Sequence, residues 1–238
     1  MLTHPRSGST LLSNLLISHP DITGIGESKL VYSSSEDLKK LPILVALQLR
    51  KFPFIGQERY ALDKLVHNQL IKAENLGNIY HQNDCIIFLL REPLATLNSM
   101  NRLDWIVKKE NPKAYMIKWY IERIKMIQKY CRQLKKNQFK HMVVLTYDQI
   151  IADTQKVFEL LEAFLKLDHP LSEEYKIFRT TGRWGTGDAS SFIKSGKIIR
   201  QREQKKPLIV NFNDRLDTVN KVYQECHREL TAHCLSIE

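Results

Sequence analysis

Close to the start of the chain, His4-Pro5-Arg6-Ser7-Gly8-Ser9-Thr10 runs directly into Leu11-Leu12-Ser13-Asn14-Leu15-Leu16. The leucines at 11, 12, 15 and 16 repeat at helical spacing, which predicts a helix from about Ser9, its first amides capped by Ser9 or Thr10. A loop of small residues with one glycine and one arginine, set ahead of a helix N-terminus, is the build of an anion site. Exposed backbone N–H groups and the helix end favour negative charge, and Arg6 adds a full positive charge. The stretch is not a nucleotide-kinase loop, because G-x-x-x-x-G-K-[ST] is unmet: no lysine follows Gly8. An ordinary capped turn has the same local sequence, so other residues must decide between the two.

Those residues fall at the ends of apolar runs. Cys85 to Leu90 (CIIFLL) has the length and composition of a strand buried on both faces, and it stops at Arg91-Glu92-Pro93. Pro93 suits the first turn of a helix, which leaves Arg91 at the strand's carboxyl end. Met142 to Thr146 reads as a second buried strand, closing at Tyr147-Asp148. Ile22 to Gly26 is a short extended segment leading into Glu27-Ser28.

Helical apolar spacing marks Asp37 to Lys51, Tyr60 to Glu74, the long stretch from Asn111-Pro112 to Lys135-Lys136-Asn137, Val157 to Leu165, and Asn213 to His233. Phe52 to Gly56 and Phe178 to Pro207 read as loops. Strands alternating with helices predict an α/β fold with a parallel sheet covered on both sides. Only Met1-Leu2-Thr3 precede the first loop, so the first strand is short or truncated. Ligands of such sheets bind at the strands' carboxyl ends, which gathers the Arg6 loop, Arg91 and Tyr147 on one edge. Two cationic points beside one phosphate loop suit a ligand phosphorylated at two places.

At 238 residues and 43% hydrophobic, the chain can bury one large core, so a single domain over 1–238 is expected. No apolar run approaches ~18 residues, which predicts no membrane span. The polar loop begins almost at Met1, which predicts no secretory leader. Cys85, Cys131, Cys226 and Cys234 show no C-x-x-C spacing and read as free thiols in a reducing, cytoplasmic compartment. Cys226-His227 and His233-Cys234 lie about 9–12 Å apart along one helix, too far to share an ion, so no metal is expected. A net charge of +10 asks for an anionic partner. No RNA- or DNA-binding signature accompanies it, and nucleic acid is not the expected partner.

Taken in order, these stretches resemble the sulfotransferases that use 3′-phosphoadenosine 5′-phosphosulfate (PAPS). Pro5 to Leu11 resembles the loop that holds the 5′-phosphosulfate, through Arg6, Ser7, Gly8, Ser9 and Thr10. Leu89-Leu90-Arg91-Glu92-Pro93, with Ser99 eight residues after Arg91, resembles the 3′-phosphate site. Tyr147-Asp148-Gln149-Ile150-Ile151 resembles the segment near the adenine. The arginine form of the loop, His19-Pro20-Asp21 and Gly26-Glu27-Ser28 are closest in style to the tyrosylprotein branch and its bacterial relatives, in which the glutamate is the base. Leu62-Asp63-Lys64 with Asn68 resembles, more weakly, the segment whose lysine helps the leaving group; the family's proline after it is replaced here by Leu-Val-His.

The resemblance implies a P-loop-NTPase-like, three-layer α/β/α fold and in-line sulfuryl transfer from PAPS, without a metal, to a hydroxyl acceptor: a small molecule, a glycan or a peptide tyrosine. It implies Glu27 as base, with Arg6 and Lys64 offsetting charge on the bridging oxygen, and His67 next in line to take the proton. Gly187-Asp188, Ser190, Ser191 and Lys194 are candidates for a basic flap over the cofactor. Leu30 to Gly56, with Tyr32, Phe52 and Phe54, is expected to shape the acceptor pocket.

Plainer readings stand beside these. Glu27 could be a solvated loop carboxylate, Lys64 a surface lysine on a helix, Arg91 half of a strand-end ion pair and Tyr147 a core residue; 200–206 is ordinarily a solvated loop. A basic nucleotide- or nucleic-acid-binding module without catalysis explains the charge but not the ordered set Arg6, Glu27, Arg91 and Ser99. A small-molecule kinase fails on the missing lysine.

Overall fold

The computed structural model describes residues 1–50, 58–66, 79–178, 188, 190–200 and 215–237. The sheet is built first from three parallel strands in the order β1 (Leu2–Thr3), β4 (Ile86–Leu90), β5 (Met142–Thr146). Leu2 stands opposite Phe88, and β4 and β5 run in register from Ile86↔Met142 to Leu90↔Thr146. The first strand is two residues long, and it is paired. A second parallel pair, β2 (Ile22–Gly24) with β3 (Tyr60–Leu62), lies beside it. The chain after β3 continues the sheet: the Leu65 N–H donates to Met1 O at 2.9 Å, and Leu65 O accepts from the Thr3 N–H at 3.2 Å.

Alternation along the buried strands assigns their side chains to two layers, because successive residues of a strand point to opposite faces. Leu2, Ile86, Phe88, Leu90, Met142 and Val144 pack on one side against α3 (Pro93–Met100), α4 (Asp104–Val107), α5 (Pro112–Lys136) and α9 (Leu216–Thr231). Met1, Ile87, Leu89, Val143 and Leu145 pack on the other against α1 (Ser9–Ile17), α6 (Tyr147–Ala152) and α7 (Thr154–Leu165). This is the expected three-layer α/β/α arrangement with a central parallel sheet. Of the two further helices, the single turn α8 (Ser191–Lys194) adds Ile193 to the second side, and α2 (Ser35–Leu49) packs Leu41 and Val45 on Ile25 in a smaller cluster. Among the described residues no helix is long and apolar enough to cross a membrane. All four cysteines are free thiols.

Local signals account for several helix starts. Asn111 caps α5 by accepting the Ala114 N–H at 3.1 Å, with Pro112 in the first turn. Pro93 opens α3 in the same way. Thr146 and Gln149 form a reciprocal capping box at the start of α6.

Three expectations fail. Tyr60–Leu62 is a strand, not the start of a helix, because parallel pairing with β2 and packing on α1 outweigh an apolar spacing that fits a helix equally well. Residues 67–74, the rest of that predicted helix, lie outside the described residues. Neither Ser9 nor Thr10 caps α1: Gly8 occupies the N-cap in a left-handed conformation, without a side-chain cap. The long loop expected from Phe178 onward contains α8, and Glu174 pairs with Lys197 in an antiparallel bridge.

Gly24 sets the closeness of β2 to its neighbours. A Cβ there would lie 2.8 Å from Ile17 Cγ2 and 2.9 Å from the Leu62 carbonyl oxygen. A backbone oxygen cannot rotate away, so Gly24→Ala must separate β2 from β3 or from α1. The expected loss is about 1–3 kcal/mol, the usual range for overpacking. It reads as a lower urea midpoint with an unchanged slope, and a midpoint shift of less than ~0.5 kcal/mol would contradict the packing described.

Candidate active site

The loop between β1 and α1 is shaped from inside. Arg6 has φ 64° and Gly8 φ 90°, so left-handed residues stand on either side of Ser7. A Cβ on Gly8 would lie 2.2 Å from Tyr147 Cδ2, so only glycine allows the loop to lie against that ring. Ser7 is fully buried: its N–H donates to His4 O at 3.3 Å, and its hydroxyl bonds the Thr3 hydroxyl at 2.6 Å. Ser7, expected as a ligand contact, is therefore a support of the loop, because both its polar groups are engaged below the surface. The first intrahelical bond of α1 runs from Leu12 N–H to Gly8 O at 3.2 Å. Without a side-chain cap, the amides at the helix start are left to an outside acceptor, which is the condition for anion binding.

The carboxyl end of β4 is locked onto this loop. The Arg91 N–H donates to His4 Nε2 at 3.1 Å. His4 Nε2 therefore carries no proton, and Nδ1–H donates to Pro5 O at 3.0 Å. Burial drives the His4 pKa down to about 3, with the Arg91 charge acting in the same direction, so the neutral ring persists at physiological pH. The Tyr120 hydroxyl donates to Arg91 O at 3.0 Å, and its ring meets His4 edge-on at 5.1 Å. The Arg91 guanidinium donates to Arg6 O at 3.0 Å and lies 4.2 Å from the centroid of the Tyr147 ring. The Arg6 loop, Arg91 and Tyr147 thus meet on one sheet edge, as the strand-end argument requires. Tyr147, only 6% exposed, fills the space between Gly8 and Arg91.

Arg6 points along the same edge. Its Nε donates to Ser99 Oγ on α3 at 2.9 Å, and its Nη2 faces Asp188 at 3.5 Å. The sequence places Arg6 and Ser99 at opposite ends of a ligand, whereas here they touch. Asp188 bonds the loop a second time, its N–H donating to Thr10 Oγ1 at 3.1 Å, and its carboxylate accepts the Ser190 N–H at 3.0 Å. Ser190 is half-buried at the start of α8, and Lys194, at the end of that turn, is exposed.

On the β2–β3 side, Lys64 and Glu27 come together. Lys64 Nζ lies 3.2 Å from Glu27 Oε1 and donates to Thr10 Oγ1 at 3.3 Å, with side chains only 2% and 8% exposed. Lys64 is not a surface lysine on a helix: the strand that replaces the predicted helix carries it inward. Glu27 is likewise not a solvated carboxylate. Tyr32, expected in the acceptor pocket, is 2% exposed and donates its hydroxyl to Asp63 at 2.5 Å, so it anchors the loop instead. His67, Asn68, Phe52, Phe54, Gly187 and 201–206 lie outside the described residues.

Sequence reasoning missed the supports. His4 and Asp63 both stand inside quoted motifs, but nothing local shows that the first accepts a hydrogen bond across 87 positions or that the second is buried.

The arrangement is an uncapped helix start, chemically able to take an anion, with Arg6, Arg91 and Ser99 on one side and a buried lysine–carboxylate pair on the other. Comparison with known proteins agrees with its chemistry. A Sulfotransferase domain family model matches residues 1–181. Among solved structures, the sulfotransferase domain from the curacin biosynthetic pathway has a TM-score of 0.62 at 15% identity, covering 97% of this chain and 97% of that chain. A mouse sulfotransferase, SULT7A1, solved as its complex with PAP, has a TM-score of 0.41 at 14% identity, over 71% of this chain and 58% of that chain. No curated protein sequence matches. The family match spans well over half of the chain, and the P-loop-like α/β fold is shared with the first of these structures: the chain belongs to the sulfotransferase family.

Proposed function

We propose that this sulfotransferase acts as one domain over 1–238, in a cytoplasmic setting, and moves the sulfuryl group from PAPS to a hydroxyl acceptor with Glu27 as base. One observation carries the reading. The cradle residue Thr10, the ammonium of Lys64 and the carboxylate of Glu27 form a continuous chain, with steps of 3.3 and 3.2 Å. A carboxylate held at the lip of the helix-start loop is placed to take a proton from a hydroxyl acceptor.

The residues present fit the donor. The uncapped start of α1 and the glycine that no Cβ can replace suit the 5′-phosphosulfate, with Ser9, Thr10 and Arg6 around it. Arg91 suits the 3′-phosphate, joined there by Ser99 once its hydroxyl exchanges the bond it accepts from Arg6 Nε; Tyr147 suits the adenine side, and Ser190 and Lys194 the cover. When bound, PAPS supplies the sulfuryl group and its phosphate leaving group. The chain's own groups orient the donor, offset charge on the bridging oxygen through Lys64 and Arg6, and accept the acceptor's proton on Glu27. The acceptor is a hydroxyl on a small molecule, a glycan or a peptide tyrosine.

Incubation with radiolabelled PAPS and a panel of these hydroxyls is the direct test, and labelled product is the expected outcome. Glu27→Gln keeps shape and removes basicity, so kcat should fall by about 10²-fold or more while PAP affinity stays within a few-fold. Transfer at near wild-type rate would move the proton to another residue. Arg91→Ala should weaken PAP binding by about 1.5–3 kcal/mol, the scale of a charge-assisted hydrogen bond. Adenosine 5′-phosphosulfate, which lacks the 3′-phosphate, should be affected far less. Equal weakening of both in calorimetry would show that Arg91 does not read that phosphate.

A further inference from the structure

Asp63 sits behind the proposed reacting pair and faces neither ligand. It follows β3 and is 7% exposed. Its two oxygens accept four hydrogen bonds. Oδ1 takes the N–H of Ser28 at 2.9 Å and the N–H of Lys64 at 2.8 Å, and Oδ2 takes the hydroxyls of Ser28 and Tyr32, each at 2.5 Å. Ser28 directly follows Glu27, and Lys64 directly follows Asp63. One carboxylate is therefore bonded to the backbone beside each half of the Lys64–Glu27 pair.

The surrounding loop depends on the same group. Gly26 and Lys29 have φ 82° and 64°, so the chain around Glu27 is turned by left-handed residues with no regular ladder to hold it. Besides the Glu27–Lys64 ion pair, polar ties of this loop are the Lys64 N–H to Gly26 O at 3.1 Å and the Leu30 N–H to Ser28 Oγ at 3.1 Å, and each of the three involves an Asp63 partner. Burial, with the adjacent Asp63 charge, pushes the Tyr32 phenol well up, so Tyr32 remains a donor at physiological pH.

We propose that Asp63 is a positioning residue: it fixes the Glu27 loop and Lys64 as one unit, so that carboxylate and ammonium reach the cradle with a set separation. This rests on the reading of Glu27 and Lys64 as the reacting pair.

The test compares the full chain with Asp63→Ala, Asp63→Asn and Ser28→Ala/Tyr32→Phe. Asp63→Asn retains an oxygen for the two backbone donors, so it should rescue. The first readout needs no turnover: acetylation of Lys64 by an N-hydroxysuccinimide ester, followed by mass spectrometry and referenced to exposed Lys118. Asp63→Ala should raise Lys64 labelling by about tenfold or more while melting stays cooperative, and Asp63→Asn should restore most of the protection. The second readout is kinetic, on an acceptor from the panel. Asp63→Ala should lower kcat by about tenfold or more with PAP affinity within about threefold, and the loss should not multiply with that of Glu27→Gln.

If Asp63→Ala does not fold, the Ser28→Ala/Tyr32→Phe variant is read by the same two measures, with losses of about threefold or more expected. Unchanged Lys64 labelling, or losses that multiply fully with Glu27→Gln, would overturn the inference and leave the base reading intact. An active Glu27→Gln would overturn the base reading, whereas exposure of Lys64 in Asp63→Ala would still show what Asp63 holds.

Discussion

A lysine ammonium with its side chain 2% exposed must be compensated where it lies, and much of the site follows from that requirement. Lys64 finds a carboxylate at 3.2 Å and a hydroxyl at 3.3 Å, contributed by the chain after β2 and by the start of α1. Removing one partner of such a pair typically costs about 3–5 kcal/mol, because the other charge is left buried alone. The β2–β3 unit, the loop after β2 and the helix start are thus tied to one another electrostatically. The sheet supplies the same tie in its backbone, through Leu65 on β1. In the function proposed above, this geometry brings a cation and a carboxylate to the edge of the helix-start loop.

The cradle itself is held by neutral and aromatic groups as well as by charge. His4 stays unprotonated in its buried position and can therefore accept the Arg91 N–H, which fixes the end of β4 against the loop. Tyr147 lies against Gly8 and beneath the Arg91 guanidinium, so the loop has one allowed distance from the sheet edge. Arg6 and Arg91 sit side by side, each engaged by oxygen atoms: Ser99 and Asp188 for one, the Arg6 carbonyl for the other.

The sequence by itself determined what depends on neighbours in the chain. The anion loop, the helix behind it, the buried strands at Ile86–Leu90 and Met142–Thr146, the capped helix Pro112–Lys136 and the placement of Arg91 at a strand end all follow from spacing, punctuation residues and alternation. Those local signals suffice to predict a parallel sheet covered on both sides and to gather the Arg6 loop, Arg91 and Tyr147 on one edge. Only the tertiary structure decided the state of Lys64. Its segment has an apolar spacing that suits a helix, and the pairing that makes Tyr60–Leu62 a strand comes from Ile22–Gly24, 38 positions away. Parallel pairing at that distance leaves no local mark, because its hydrogen bonds are made by backbone groups common to every residue. The burial of Asp63, the inward turn of Ser7 and the hydrogen bond from Arg91 to His4 are decided in the same way, by which segments the sheet brings together.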